Sequence, residues 1–194
     1  MKLNLLTKAK AELISLAEAK SYLHINHNFD DDLIKFLIKS NREAIETMVQ
    51  QSIVKQTWKY TVKREEFSNL VSNNGPYVFG TMITIPLPRP PVLEVKGVLI
   101  DDKSISKNKV KLVKDNNTYF IHIRNIKNFE DCSKVVIIYD TGIAETLDEV
   151  PEQIKLANLI LVANAYQDRY TTPLSIMPAI VRELLSPFLN LRLL

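Results

Sequence analysis

Hydrophobic positions along the chain change period twice, and those changes divide it into three stretches. In the first, Ser15 and Glu18 make a Ser-Leu-Ala-Glu pattern that signals a capping box and predicts a short helix over 15–23. A polar break, Asn26-His27-Asn28, follows, and Asp30 is placed to cap a longer helix over 30–50, with Asp31 and Asp32 at its positive end. Ile34, Leu37, Ile38, Ile45, Met48 and Val49 recur at helical spacing, and Lys35, Lys39, Arg42, Glu43 and Glu46 are expected on the wet face.

From Val54 the period becomes two. Val54, Gln56, Trp58, Tyr60 and Val62 alternate with lysines and threonines, which predicts a half-buried strand. A loop rich in Asn, Ser and Gly is expected over 68–80. Further strands are expected over 82–87, 92–100, 109–113, 119–123 and 134–139. The run Pro86-Leu87-Pro88-Arg89-Pro90-Pro91 is expected to end the first of these, because proline donates no ladder hydrogen bond. Asp101-Asp102 and Asp115-Asn116-Asn117 are the expected turns. Helical spacing returns after Gly142. Pro151 suits the first turn of a helix to about position 168, expected to be buried on several sides, and a last helix is expected over 178–185 before Pro187. The predicted class is α+β: an N-terminal helix pair and C-terminal helices form a helical bundle, with a central antiparallel β-strand region inserted. We expect one domain with parts at 1–52, 53–143 and 144–194.

Composition narrows the chemistry. Among 194 residues, 46% are hydrophobic and 24% charged, which are ordinary globular values. Twenty-five basic and 22 acidic residues leave a net charge of +3, too balanced for a protein that neutralises many phosphates. A single cysteine, Cys132, excludes an intrachain disulfide and a Cys-rich zinc site. The N-terminal stretch is broken by Lys8, Lys10 and Glu12, so it lacks a signal peptide's apolar run, and the most apolar helix carries Lys155, Asn158 and Asn164. The expectation is a soluble protein made inside the cell, with no membrane partner.

No motif for catalysis or cofactor binding emerges. The four glycines are scattered, so there is no phosphate-cradling loop, and no serine sits in a nucleophile elbow. His24, His27 and Asp30-Asp31-Asp32 lack the spacing of a metal motif and read as helix-end and capping residues. His122 alternates with Ile121 and Ile123 and is expected to face solvent. A helix-turn-helix reading of the N-terminal pair conflicts with three aspartates at the end that would meet phosphates. The strongest basic run is Lys103, Lys107, Lys109, Lys111 and Lys114, read as a solvated hairpin or as a contact for DNA or an acidic partner. The apolar end, Leu189-Asn190-Leu191-Arg192-Leu193-Leu194, packs back on the core or docks on a partner.

The order of segments says more. SLAEAKSYLHINHNFDDDLIKFLIKSNREAIETMV, VKQTW, ITIPLPRPPVLEVKGV, VVIIYDTGI, VPEQIKLANLILVANAYQDRY and IVRELLSPF follow one another between Ser15 and Phe188. In that order the chain resembles the head–tail connector (adaptor) family of long-tailed bacteriophages and gene transfer agents. The resemblance implies a non-enzymatic structural protein without cofactor, located at the head–tail junction of a virion and in the host bacterial cytoplasm before assembly. Copies would form a ring, usually twelvefold, under the portal vertex and extend the DNA channel, with DNA passing without sequence preference. The portal protein and a tail-side stopper or tail-completion protein are the implied partners. By that analogy Phe188, Leu189, Leu191, Leu193 and Leu194 are the expected portal-docking residues. A ring needs two different faces on each subunit, and Lys35, Lys39, Arg42, Glu43 and Glu46 are the expected subunit–subunit face. The alternative function is a DNA-packaging accessory or DNA-binding protein of a phage or prophage.

Overall fold

The computed structural model describes residues 1–68, 75–126, 129–167 and 177–189. Its contacts divide the described chain into a β unit, residues 1–8 and 55–142, and a helical unit, residues 9–54 and 143–189.

The β unit contains two antiparallel sheets. Its strands are β1 (Lys2–Thr7), β2 (Gln56–Lys63), β3 (Tyr77–Phe79), β4 (Met82–Leu87), β5 (Val92–Ile100), β6 (Lys103–Ser104), β7 (Val110–Asp115), β8 (Thr118–Ile123) and β9 (Lys134–Thr141). One sheet runs β1-β2-β9-β5-β6 and the other β3-β4-β8-β7. The alternation read in β2 is real: it pairs residue for residue with β9 from Gln56↔Thr141 to Lys63↔Lys134. Alternate residues of β2, β4, β8 and β9 and of the end of β5 supply the core. Tyr60, Val62, Val98, Ile100, Val135, Ile137 and Tyr139 from one sheet meet Ile83, Ile85, Leu87, Ile121 and Ile123 from the other in one apolar cluster.

Three strands had no counterpart in the periodicity: β1, β3 inside the expected 68–80 loop, and β6, which is two residues long. β4 has the expected bounds, 82–87, and ends within the proline run. Pro86 lies inside the strand, opposite Phe120 of β8. The ladder accepts it because β3 pairs only as far as Thr84, so no strand on the other side asks Pro86 for a donor. The turns are as read. Asp101 and Asp102 both adopt positive φ, 46° and 65°, between the paired Ile100 and Lys103, as the primed hairpin turns require. Asp101 also accepts from Ser133 N at 2.9 Å, Lys134 N at 3.0 Å and Ser133 Oγ at 2.5 Å. These bonds, with the Ser133 hydroxyl first, hold its carboxyl below the usual carboxylate range.

The helical unit contains α1 (Leu16–Leu23), α2 (Asp31–Val49), α3 (Glu152–Gln167) and α4 (Ala179–Leu185). The predicted capping box at Ser15 and Glu18 is present in full, and His24 closes α1 in the left-handed conformation. Asp30 stands at the N-cap of α2 but makes no side-chain cap; its carboxylate accepts from the Tyr166 hydroxyl at 2.5 Å. α1 packs on α2 and α3, α2 on α3, and α3 on α4. Val54 does not belong to β2. It is buried in the helical unit and bridges Ala144, whose N–H donates to Ile53 O at 2.9 Å, so the chain leaves and re-enters this unit at adjacent points. α3 is buried on more than one side: Ile154 and Ala157 pack in one apolar cluster and Val162 in another, while Leu156 is exposed.

Candidate assembly surfaces

Charge on α2 is distributed differently from the expected wet face. Lys35, Lys39 and Glu43 are exposed, but Arg42 and Glu46 are only 4% and 6% exposed. Arg42 Nε donates to Glu12 Oε2 at 2.7 Å and its Nη1 to Glu46 Oε2 at 3.0 Å. The other Glu46 oxygen accepts the backbone N–H groups of Ile53, at 2.9 Å, and Val54. The physical reason is local: past the end of α2 the chain doubles back, and its bare N–H groups need an acceptor that only an inward carboxylate supplies. Of the expected subunit face, Lys35, Lys39 and Glu43 are therefore the surface members.

On α2 and just before it stand exposed aromatics which the periodicity left out. Phe29 is 95% exposed, with its ring tilted 39° to that of His27 and centroids 5.6 Å apart, and Phe36 is 65% exposed. Phe36 falls off the buried Ile34/Ile38/Ile45 stripe, and that mismatch is the signal by which sequence alone identifies it.

The lysine run lies along the edge of the β unit: Lys103 on β6, Lys107 and Lys109 in a 3-10 turn, Lys111 and Lys114 on β7. All five are exposed, and none makes an ion pair among the described residues. Lys114 Nζ lies 5.7 Å from the centre of the Tyr119 ring. Beside them an open groove of about 240 Å³ is lined by Val95, Val98, Ile105, Val110 and Leu112, with Lys96 and Lys107 at its walls. His122 is half-buried rather than solvent-facing, and burial first, then Arg124 and Lys111, push its pKa down. Burial first, then Asp101 and Asp131, raise that of the Cys132 thiol, which stays protonated at neutral pH.

Of the expected portal-docking residues, Phe188 and Leu189 are half-buried against the apolar cluster of the helical unit, and Phe188 O accepts from Gln51 Nε2 at 2.7 Å. Leu191, Leu193 and Leu194 lie outside the described residues. Among the described residues no group of three or more His, Cys, Asp and Glu is arranged to hold a metal ion, and no helix is long and apolar enough to cross a membrane.

A family model described as head completion protein matches residues 12–176. The chain belongs to the head completion protein family. Membership bears out the head–tail connector resemblance read from the order of segments, and with it a structural role in virion assembly. The fold agrees along the whole length. A chain in the neck of an empty GTA particle computed with C6 symmetry aligns at a TM-score of 0.76 and 19% identity, covering 100% of this chain and 98% of that one. Chains from the neck of a native GTA particle computed with C12 symmetry and from the virion of a native gene transfer agent particle align at 0.73 and 0.72, with the same identity and coverage. Among proteins of curated function, none matches the chain in sequence.

Proposed function

We propose that copies of this chain form a ring on the portal vertex and extend the DNA channel toward the tail. The observation that carries the reading is the family match over residues 12–176, supported by a fold shared end to end with a neck component. In this reading the β and helical units act together as a single connector domain. The N- and C-terminal helices form one bundle in the ring wall, and the β unit faces tail-side proteins. The exposed residues of α2, Lys35, Lys39 and Glu43, take part in the contact between copies. Phe188, Leu189, Leu191, Leu193 and Leu194 are the residues that dock on the portal. Weak contacts of this kind hold firmly when they repeat around a ring. A net charge of only +3 suits a channel through which DNA must slide.

Mass photometry of the purified protein mixed with its cognate portal ring tests this. The expected result is a portal species heavier by one 22.2 kDa subunit for each portal chain. No gain in mass across a range of salt rejects the reading. A chain that ignores portal but binds duplex DNA, with that binding lost when Lys103, Lys107, Lys109, Lys111 and Lys114 are neutralised, establishes the DNA-packaging alternative instead.

A further inference from the structure

Two surfaces with unmet needs lie on different units of the chain. On the helical unit, exposed Phe29 lies just before α2, and exposed Phe36 shares one stripe of α2 with Asp32 and Glu43. A phenyl ring 95% exposed leaves nearly its whole apolar area in water, where burial would favour it. Asp32 pairs with Lys35 on the same helix, an exposed pair at 3.2 Å that is worth little and readily exchanged. On the β unit, the groove between β5 and β7 opens onto the edge of the apolar core, and its volume of about 240 Å³ holds a phenyl ring with room to spare. Lys107 at its wall and Lys103 and Lys109 beside it have no acidic partner among the described residues.

We propose that the two surfaces meet between copies: Phe29 of one subunit enters the β5–β7 groove of the next, and Asp32 faces Lys107 and Lys109 there. The aromatic side chain supplies the apolar occupant that the groove lacks, and the aspartate supplies the charge that the lysines lack. Because key and groove are different surfaces, the contact is head-to-tail, which is the kind that closes into rings. This assigns the lysines near the groove to a neighbouring subunit rather than to DNA. The inference rests on the ring reading above and names the faces it uses.

The test is photocrosslinking of the full chain carrying Phe29→benzoylphenylalanine, as a mixture of ¹⁴N- and ¹⁵N-labelled protein, both free at high concentration and bound to the portal ring. The expected result is a ladder of covalent oligomers in which position 29 is joined to residues 95–112 of a differently labelled copy. Lys107→Glu with Lys109→Glu should weaken the ladder roughly tenfold, equivalent to about 1.4 kcal/mol, and adding Asp32→Lys should restore it. All these positions are exposed, so the variants should fold, and far-UV circular dichroism verifies that they do. The proposal is overturned by crosslinks that map elsewhere or only within one copy, by no ladder in either state, or by a ladder indifferent to the charge exchange. A wild-type portal complex of full mass alongside any of these results leaves the connector reading standing and removes only this contact; loss of the portal complex itself removes the reading beneath it.

Discussion

The buried Thr57–Asp140 bond of the β unit joins residues that the backbone ladder has already paired, whereas several side-chain bonds of the helical unit join segments that no ladder pairs. Thr57 donates to Asp140 at 2.7 Å, and the two are register partners of β2 and β9. In the helical unit, Arg42 reaches Glu12, Asn158 Nδ2 reaches Ile38 O at 3.3 Å, Gln51 reaches Phe188 O, and Tyr166 reaches Asp30. The difference follows from how each kind of element is specified. A sheet fixes its register through main-chain bonds and alternating burial. Helices satisfy their backbones internally, so only side chains can fix which helix lies where. The buried polar groups of the helical unit are therefore its address labels.

Removing one such label should produce the largest effect. Glu46→Ala strips the acceptor from Ile53 and Val54 N–H and one of the three carboxylates, with Glu12 and Glu43, that face buried Arg42, at a cost of about 3–5 kcal/mol. Its counterpart in the β unit is Ile137→Ala, a fully buried truncation costing about 2–5 kcal/mol through its cavity. Two signals separate the units: the single tryptophan, Trp58, lies on β2, and ellipticity at 222 nm reports the helices. In urea, Glu46→Ala should shift the helical transition more than the tryptophan one, and Ile137→Ala the reverse. Equal shifts in both signals would show that the units unfold together and would erase the energetic side of the comparison.

A smaller effect concerns Asp140. Burial pushes its carboxyl pKa up, but hydrogen bonds from Lys96, at 2.7 Å, and Thr57 outweigh that and leave it below the ordinary value. A depressed folded-state pKa contributes stability above the ordinary carboxylate pKa, and that stability is lost as pH falls through the lower folded value. Asp140→Asn should cost about 1.5–3 kcal/mol at neutral pH, the range for hydrogen bonds to a charged group. It should also flatten the acid limb of the tryptophan-detected stability profile. An acid limb as steep as that of the native chain would assign the dependence to other groups, Asp101 first among them.

The smallest effect sharpens the contrast at a site the sequence announces. Ser15→Ala removes the capping-box acceptor of Glu18 N–H, at 3.1 Å, and should cost about 1 kcal/mol, read in the helical signal alone. A loss in the tryptophan signal of the same size would mean that α1 supports the β unit too.

Where the pattern was strong, it was legible. The capping box, α2, the β2 alternation and the Asp101-Asp102 turn each rest on neighbours within a few residues, and each is found where the residues put it. β1, β3 and β6 were not legible, because a short strand becomes one only when a partner strand pairs with it. The candidate surfaces split in the same way. Exposure of Lys103, Lys107, Lys109, Lys111 and Lys114 followed from their run of charge, while the groove beside them required β5 and β7 to be brought together from different sheets.

By itself the sequence determined the type and order of the main elements, the chemistry of their turns and caps, and, through the order of its segments, the family. These depend on residues close in the chain, whose spacing is written directly in it. The tertiary structure alone decided that Arg42 and Glu46 turn inward, that Asn158 sits in the core, that Val54 belongs with the helices, and that Phe29 and Phe36 remain in water. Each depends on what the fold brings alongside a residue, and the free energy of burying a charge or exposing a phenyl ring is settled by those neighbours.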